Sequence, residues 1–194
     1  MSQGDFLGRI VERLGAAGIP HALAGSLASG FHGEPRATND IDLVIAPTRE
    51  QLDAFIDSLG SDYYVSKEAA HDALRNRSMF NIIEFQSGWK AHLIVQKDRP
   101  FSREEFDRRK TENLSGLQVP IVSPEDVILS KLEWSKISES ERQIRDALGV
   151  AVVQWKILDK EYLRKWAEEL GVADRLEAVL RDAEARRVTA GGGQ

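Results

Sequence analysis

The amino-acid sequence predicts an α+β fold: a mixed β-sheet flanked by helices, followed by a carboxy-terminal helical bundle. Two patterns carry the prediction. Short aliphatic and β-branched runs, among them "DIDLVI", "SMFNIIEF" and "GLQVPIV", fall before residue 123 and alternate with amphipathic helical stretches. From Ser123 onward only helical periodicity remains. The expected division is an α+β part over residues 1–122, a helical region over 123–187, and a tail over 188–194 too poor in apolar residues to order.

Each element has its own signal. "DFLGRIVERLGAAGIP" sets Phe6, Ile10, Val11 and Leu14 on one helical stripe and stops at glycines. "HALAG" reads as a short strand and "NDIDLVI" as the next. In "PTREQLDAFIDSLG", Thr48 and Gln51 stand in capping-box positions, with Leu52, Phe55, Ile56 and Leu59 as the buried face. "SMFNIIEF" and "WKAHLIV", separated by "QSG", predict a hairpin with a glycine-containing turn. "SREEFDRRK" predicts a helix capped by Ser102 with Glu105 three residues on, and "GLQVPIV" another strand. "SPEDVILSKLEW" opens with a serine cap and proline at the first helical position. "SESERQIRDALGVAVVQW" puts Ile144, Ala147, Leu148, Ala151, Val152 and Trp155 on one face, and two further amphipathic stretches follow. Trp134, Trp155 and Trp166 recur on helical faces and are read as core.

Composition excludes several chemistries. With no cysteine there is no disulfide, thiolate metal site or cysteine nucleophile, which fits a reducing cytoplasm. The opening "MSQGDFLGRIVERLG" lacks the basic start and apolar run of a signal peptide, and no apolar stretch approaches membrane-spanning length, so a soluble cytoplasmic chain without membrane association is expected. A net charge of -5 argues against a global grip on nucleic acid. Arg75, Arg77, Arg103, Arg108, Arg109 and Lys110 are read as solvated faces that leave room for local basic patches.

The chemistry concentrates in "GSLASGFHGEPRATNDIDLVI". Asp40 and Asp42, at i and i+2 on a strand, point to one face, where two carboxylates repel unless a cation lies between them. Paired hard oxygen ligands suit Mg²⁺, which takes one or two protein carboxylates and completes its shell with water and phosphate oxygens. Upstream, a strand ends at Gly25 and a helix begins near Ser26 or Leu27, offering free backbone N–H groups to an anion; Ser26 either caps that helix or holds a phosphate oxygen. Lys131 occupies an apolar helical stripe with Val127 and Trp134, so its side chain either snorkels or serves a ligand. His21, His32 and His71 show no metal-ligand spacing. Arg142 and Asp146, at i and i+4, are read as a surface pair ahead of any role in acceptor binding.

A Gly-Ser, a helix and then D-x-D on the next strand resemble the nucleotidyltransferase superfamily related to DNA polymerase β. With "SPEDVILSKLEW" and "SERQIRDALG", the chain is similar to small bacterial members that include AbiEii-type toxins and lincosamide adenylyltransferases. The resemblance implies a nucleotidyltransferase-like fold and transfer of a nucleoside monophosphate from a nucleoside triphosphate to an acceptor hydroxyl, with two Mg²⁺ ions, or Mn²⁺, assisting. The acceptor would be an RNA or tRNA end, a small molecule or a protein, and a toxin–antitoxin partner protein is implied by the same likeness. It makes Asp40 and Asp42 metal ligands, and Gly25, Ser26 and Lys131 contacts to the triphosphate; Arg36 and Thr38 match an R-x-T that binds nucleotide or orients the D-x-D loop.

One position departs from the pattern. Superfamily members place a third carboxylate on a later strand, and the matching residue here is His92. Lys90, His92 and Ile94 share a face by alternation, so His92 is expected to point at the site as metal ligand or general base, without bringing negative charge. Glu84, across the hairpin, compensates if strand register sets it opposite. Three readings follow: an active enzyme using His92 or Glu84, a catalytically degenerate domain that binds nucleotide or acts as an antitoxin-like interaction module, or a one-position variant of an ordinary enzyme.

Overall fold

The computed structural model describes residues 2–191. In chain order the elements are α1 (Gln3–Ala16), β1 (His21–Ala24), α2 (Gly25–His32), β2 (Asp40–Ile45), α3 (Arg49–Leu59), β3 (Tyr63–Tyr64), α4 (Lys67–Asn76), β4 (Met79–Glu84) and β5 (Lys90–Val95). They continue with α5 (Pro100–Asp107), β6 (Lys110–Leu114), β7 (Leu117–Ile121), α6 (Pro124–Ser138), α7 (Glu141–Gln154), α8 (Lys160–Leu170) and α9 (Ala173–Gly191). The fold is α+β, as the sequence predicts. The chain forms two compact units, Met1–Ala24 with Thr38–Val122, and Gly25–Ala37 with Ser123–Gln194. Residues 25–37 group with the helices. The tail expected from residue 188 begins inside α9, which runs to Gly191, and residues 192–194 lie outside the described residues.

The first unit is built on a mixed seven-stranded sheet ordered β3-β4-β5-β2-β1-β7-β6. β2 runs parallel to β5 and β1 parallel to β7, while the other neighbours are antiparallel. Alternation sorts the strands into two faces. Ile41, Leu43 and Ile45 of β2, Ala91, Leu93 and Val95 of β5, and Phe80 and Ile82 of β4 are all buried. Phe6, Ile10 and Leu14 of α1 and Leu52, Phe55 and Leu59 of α3 are buried with them, and α1 packs on α3 and β7. The Thr48–Gln51 capping box forms as read. The Ser102 cap does not: α5 starts at Pro100, because proline's fixed φ suits a first helical position, and Ser102 lies inside the helix.

The second unit is helical, with α7 packed against α2, α6 and α9, and α8 against α6 and α9. Ser123 caps α6 by accepting from the Asp126 N–H, with Pro124 at its first turn. Trp166 is buried as expected, but Trp134 is 48% exposed and is not core. The crossing of α2 and α7 depends on Gly33, where a Cβ would lie 2.7 Å from the Val150 backbone nitrogen. Backbone cannot rotate away as a side chain can. Gly33→Ala is therefore expected to destabilise the protein by ~2 kcal/mol, read as a lower urea midpoint; an unchanged midpoint would show that α7 shifts freely.

Candidate active site

In the first unit, Asp40 and Asp42 share one face of β2 while Ile41 and Leu43 are fully buried on the other. The charged face is only half buried, which is how a strand otherwise committed to the core carries carboxylates without abandoning their hydration. Strand register places His92 of β5 directly beside Asp42, and Lys90 beside Asp40. His92 Nδ1 stands 2.9 Å from Asp42 Oδ1. Because an ionised carboxylate only accepts, Nδ1 is the donor in this contact, and in a neutral imidazole that arrangement leaves the lone pair on Nε2. Among the described residues Nε2 has no hydrogen-bond partner, and neither does the carboxylate of Asp40.

Thr38 belongs to the scaffold of this face. Its Oγ1 donates to the Asp40 carbonyl at 3.3 Å and its own carbonyl accepts from Gln3 Nε2 at 2.9 Å, so it ties the entry of β2 to α1. Glu84 does not supply the missing carboxylate. Its register partner is Tyr63, and alternation puts it with buried Phe80 and Ile82 on the face opposite Asn81 and Ile83. There it accepts from Arg9 Nη2 at 2.6 Å and from Ser87 Oγ. Burial raises the Glu84 carboxyl's affinity for its proton, but the Ser87 and Arg9 hydrogen bonds outweigh it and hold the group below its ordinary range.

In the second unit Gly25 opens α2 at φ 59°, a left-handed conformation that favours glycine. The Ser26 hydroxyl accepts from Arg36 Nη2, and Arg36 also grips both oxygens of Asp146, each at 3.0 Å. Lys131 Nζ reaches Asp146 Oδ2 at 2.8 Å. The Lys131 and Asp146 side chains are only 6% and 8% exposed, so Lys131 does not snorkel to solvent; it ends on a buried carboxylate. The Arg142–Asp146 surface pair is thereby overturned, because Asp146 turns inward to Arg36 and Lys131. Burial pushes the Asp146 carboxyl up, but the bonds and charges of Arg36 and Lys131 win and lower it. Sequence reading missed this hub. Its partners lie 15 and 110 residues away, outside the reach of any local pattern. Beside it, Glu34, Pro35, Arg36, Arg142, Arg145 and Gly149 line a cavity of about 250 Å³.

Asp40 and Asp42 offer a donor set that fits a hard divalent cation: two carboxylates on one face, one unpartnered and one held by an imidazole. Among the described residues no group of three or more His, Asp or Glu side chains is gathered for a metal. A bound ion would therefore draw its remaining ligands from water or substrate. Among the same residues no helix is long and apolar enough to cross a membrane.

By likeness to solved structures the chain has a nucleotidyltransferase-like fold. No protein-family model matches it, nor does any curated protein. Solved structures do. An antigenic nucleotidyltransferase-like protein from Paracoccidioides brasiliensis superposes with a TM-score of 0.57 at 17% identity, over 91% of each chain. ANT(2″)-Ia in complex with adenylyl-2″-tobramycin gives 0.57 at 13% identity, over 96% of this chain and 99% of that one. The solution structure of the same antibiotic-resistance factor gives 0.50 at 14% identity, over 97% and 96%.

Proposed function

We propose that the protein is a metal-dependent nucleotidyltransferase that moves a nucleoside monophosphate from a nucleoside triphosphate to an acceptor hydroxyl on an RNA end, a small molecule or a protein. The observation that carries the reading is the Asp40–Asp42 pair on one strand face with His92 hydrogen-bonded to Asp42 through Nδ1. Asp40 and Asp42 would hold Mg²⁺ or Mn²⁺, and a bound divalent ion supplies charge neutralisation at the phosphoryl oxygens. The chain's own residues do the rest. With its Nδ1 proton held by Asp42, His92 can accept the acceptor hydroxyl's proton at Nε2, and the Asp42 charge stabilises the imidazolium that forms.

Within the helical unit, Arg36 and Lys131 are the residues we propose for contacts to a triphosphate. Arg36 and Lys131 meet around Asp146, and Arg36 also reaches Ser26. A triphosphate would compete with that carboxylate for the same donors, while Gly25 keeps backbone close to the anion. Titration calorimetry with ATP tests the metal assignment. Asp40 and Asp42 repel three phosphates of like charge unless a cation is present, so affinity should rise at least ~10-fold with Mg²⁺. Equal affinity with and without Mg²⁺ would sink the assignment, and absence of label transfer from any α-labelled triphosphate to RNA, small-molecule or protein acceptors would sink the activity.

A further inference from the structure

We propose that the cavity between α7 and residues 34–36, which follow α2, is an anion site separate from the Asp146 hub beside it, and that it takes a phosphate-monoester dianion. Every residue of this site lies in the helical unit, so it does not depend on nucleotide transfer at the strand pair. Arg142, Arg145, Asp146 and Gly149 fall at i, i+3, i+4 and i+7 and form one face of α7, while Glu34, Pro35 and Arg36 make the opposite wall. Both walls are fixed before any ligand arrives. At one end Gly33 sits so close to α7 that a Cβ would lie 2.7 Å from the Val150 nitrogen; at the other, Arg36 grips both oxygens of Asp146. A preformed cavity loses little freedom on being filled.

Pairing sets the two arginines of α7 apart from Arg36. Arg36 and Lys131 direct their charge to Asp146. Arg142 and Arg145 are exposed where the cavity meets solvent, and among the described residues neither makes a hydrogen bond or an ion pair. The carboxylates nearby do not claim them. Glu34 on the facing wall is unpaired, as is exposed Glu141, one residue before Arg142 and four before Arg145, and Asp146 turns away to Arg36 and Lys131. Helix position makes this arrangement unfavourable by itself: two like charges lie one turn apart near the positive end of α7, whose cap residue Ser140 forms no side-chain capping bond. An anion between the guanidiniums relieves it. Charge decides its class. Arg36, Arg142 and Arg145, with Lys131 behind Asp146, stand against the two lining carboxylates Glu34 and Asp146, so a dianion balances the site and a monoanion does not. Two guanidinium forks match phosphoryl oxygens in geometry. The volume of about 250 Å³ equals the share of roughly eight waters, which holds a phosphate group but not the whole of a larger molecule that carries it.

Two probes of similar size test this by titration calorimetry on the full chain in metal-free buffer at pH 8: methyl phosphate, a monoester that is a dianion there, and dimethyl phosphate, a diester with one charge. Methyl phosphate is expected to bind at least ~10-fold more tightly than dimethyl phosphate. Arg142→Ala with Arg145→Ala should weaken it ~10-fold or more, and because both side chains are exposed the urea midpoint should not move. Equal binding of the two probes, or an affinity that survives the double substitution, overturns the proposal. Adenosine monophosphate identifies the source: binding as tight as methyl phosphate assigns the site to a phosphate group carried on a nucleotide, and exclusion of it assigns the site to free phosphate. Affinity for ATP with Mg²⁺ keeps this site apart from the hub. The double variant should retain that affinity within ~2-fold, because Arg36 and Lys131 remain; a loss equal to that of methyl phosphate would make the cavity an extension of the triphosphate contacts and overturn a separate site. A parent that binds methyl phosphate as described but shows no Mg²⁺-dependent ATP affinity would remove the transfer reading and leave this site standing.

Discussion

Asp146→Asn is expected to destabilise the protein by about 3 kcal/mol, the lower end of the cost of leaving a buried charge without its partner. The side chains of Asp146 and Lys131 are 8% and 6% exposed, so neither can exchange its partner for bulk water without moving helices. Arg36, at 30% exposed, recovers part of its hydration, which keeps the effect from the upper end. Lys131→Met is the control. It leaves Asp146 with both Arg36 bonds and should cost only ~1 kcal/mol. Acid gives a second readout whose sign is fixed by the direction of the shift. The Asp146 carboxyl titrates below its ordinary 3.8 in the folded protein, so its contribution is fully present above that value and lost as pH falls through the folded one. Parent and Asp146→Asn should therefore differ fully above the ordinary value of 3.8 and converge only as pH falls through the lower folded value, where Asp146 is itself neutralised. Urea midpoints by circular dichroism across that window decide it. A gap that does not close in acid, or equal losses for Asp146→Asn and Lys131→Met, would mean that the carboxylate's charge is not what organises these helices.

The Asp146 hub also shows where sequence stops being legible. Elements whose cause is local could be read directly: the Thr48–Gln51 box, the Ser123–Pro124 start of α6, and the alternation that sets Asp40 and Asp42 on one face. The α+β order was legible for the same reason. What could not be read depends on partners distant in the chain. Glu84 and His92 both lie on the predicted hairpin, but only register tells that His92 faces Asp42 and that Glu84 faces away, where Arg9 of α1 claims it. Arg36 was identified from a short motif, yet its partner is 110 residues on. For Lys131 the apolar stripe offers only a choice between snorkelling and serving a ligand; the structure supplies the buried carboxylate that makes a lysine tolerable there. α4, though amphipathic and capped by Ser66, is not among the elements expected from sequence, and the short strands β3 and β6 carry too weak a period to stand out from the charged sequence around them.

His92→Asp is expected to raise the rate of nucleotide transfer by at least ~10²-fold, the gain from a third negative charge that holds the dication where charge develops. His92 can take a proton at Nε2, but a neutral imidazole adds no negative charge to the two carboxylates that would hold a dication, so the parent should bind triphosphate and transfer slowly. An aspartate at this register position supplies both charge and proton acceptance. It also carries a cost that can be measured without any acceptor. In the parent, Nδ1–H donates to Asp42 across adjacent parallel strands; in the variant that bond is replaced by a second carboxylate facing the first. Without metal, His92→Asp should therefore lower stability by about 1–2 kcal/mol, and millimolar Mg²⁺ should restore it. The parent, whose Asp42 already has the imidazole as a hydrogen-bond partner, should gain less from Mg²⁺. Mn²⁺ accepts imidazole more readily than Mg²⁺ does, so exchanging the metals should help the parent more than the variant. Transfer rates and melting temperatures for both proteins in both metals give four independent comparisons. If the parent is fully active in Mg²⁺ and His92→Asp is slower, the imidazole is itself the evolved proton acceptor and the charge argument fails. If the variant is no less stable without metal and no more stable with it, Asp42 and residue 92 do not share a cation, and the site reading built on that strand pair falls with it.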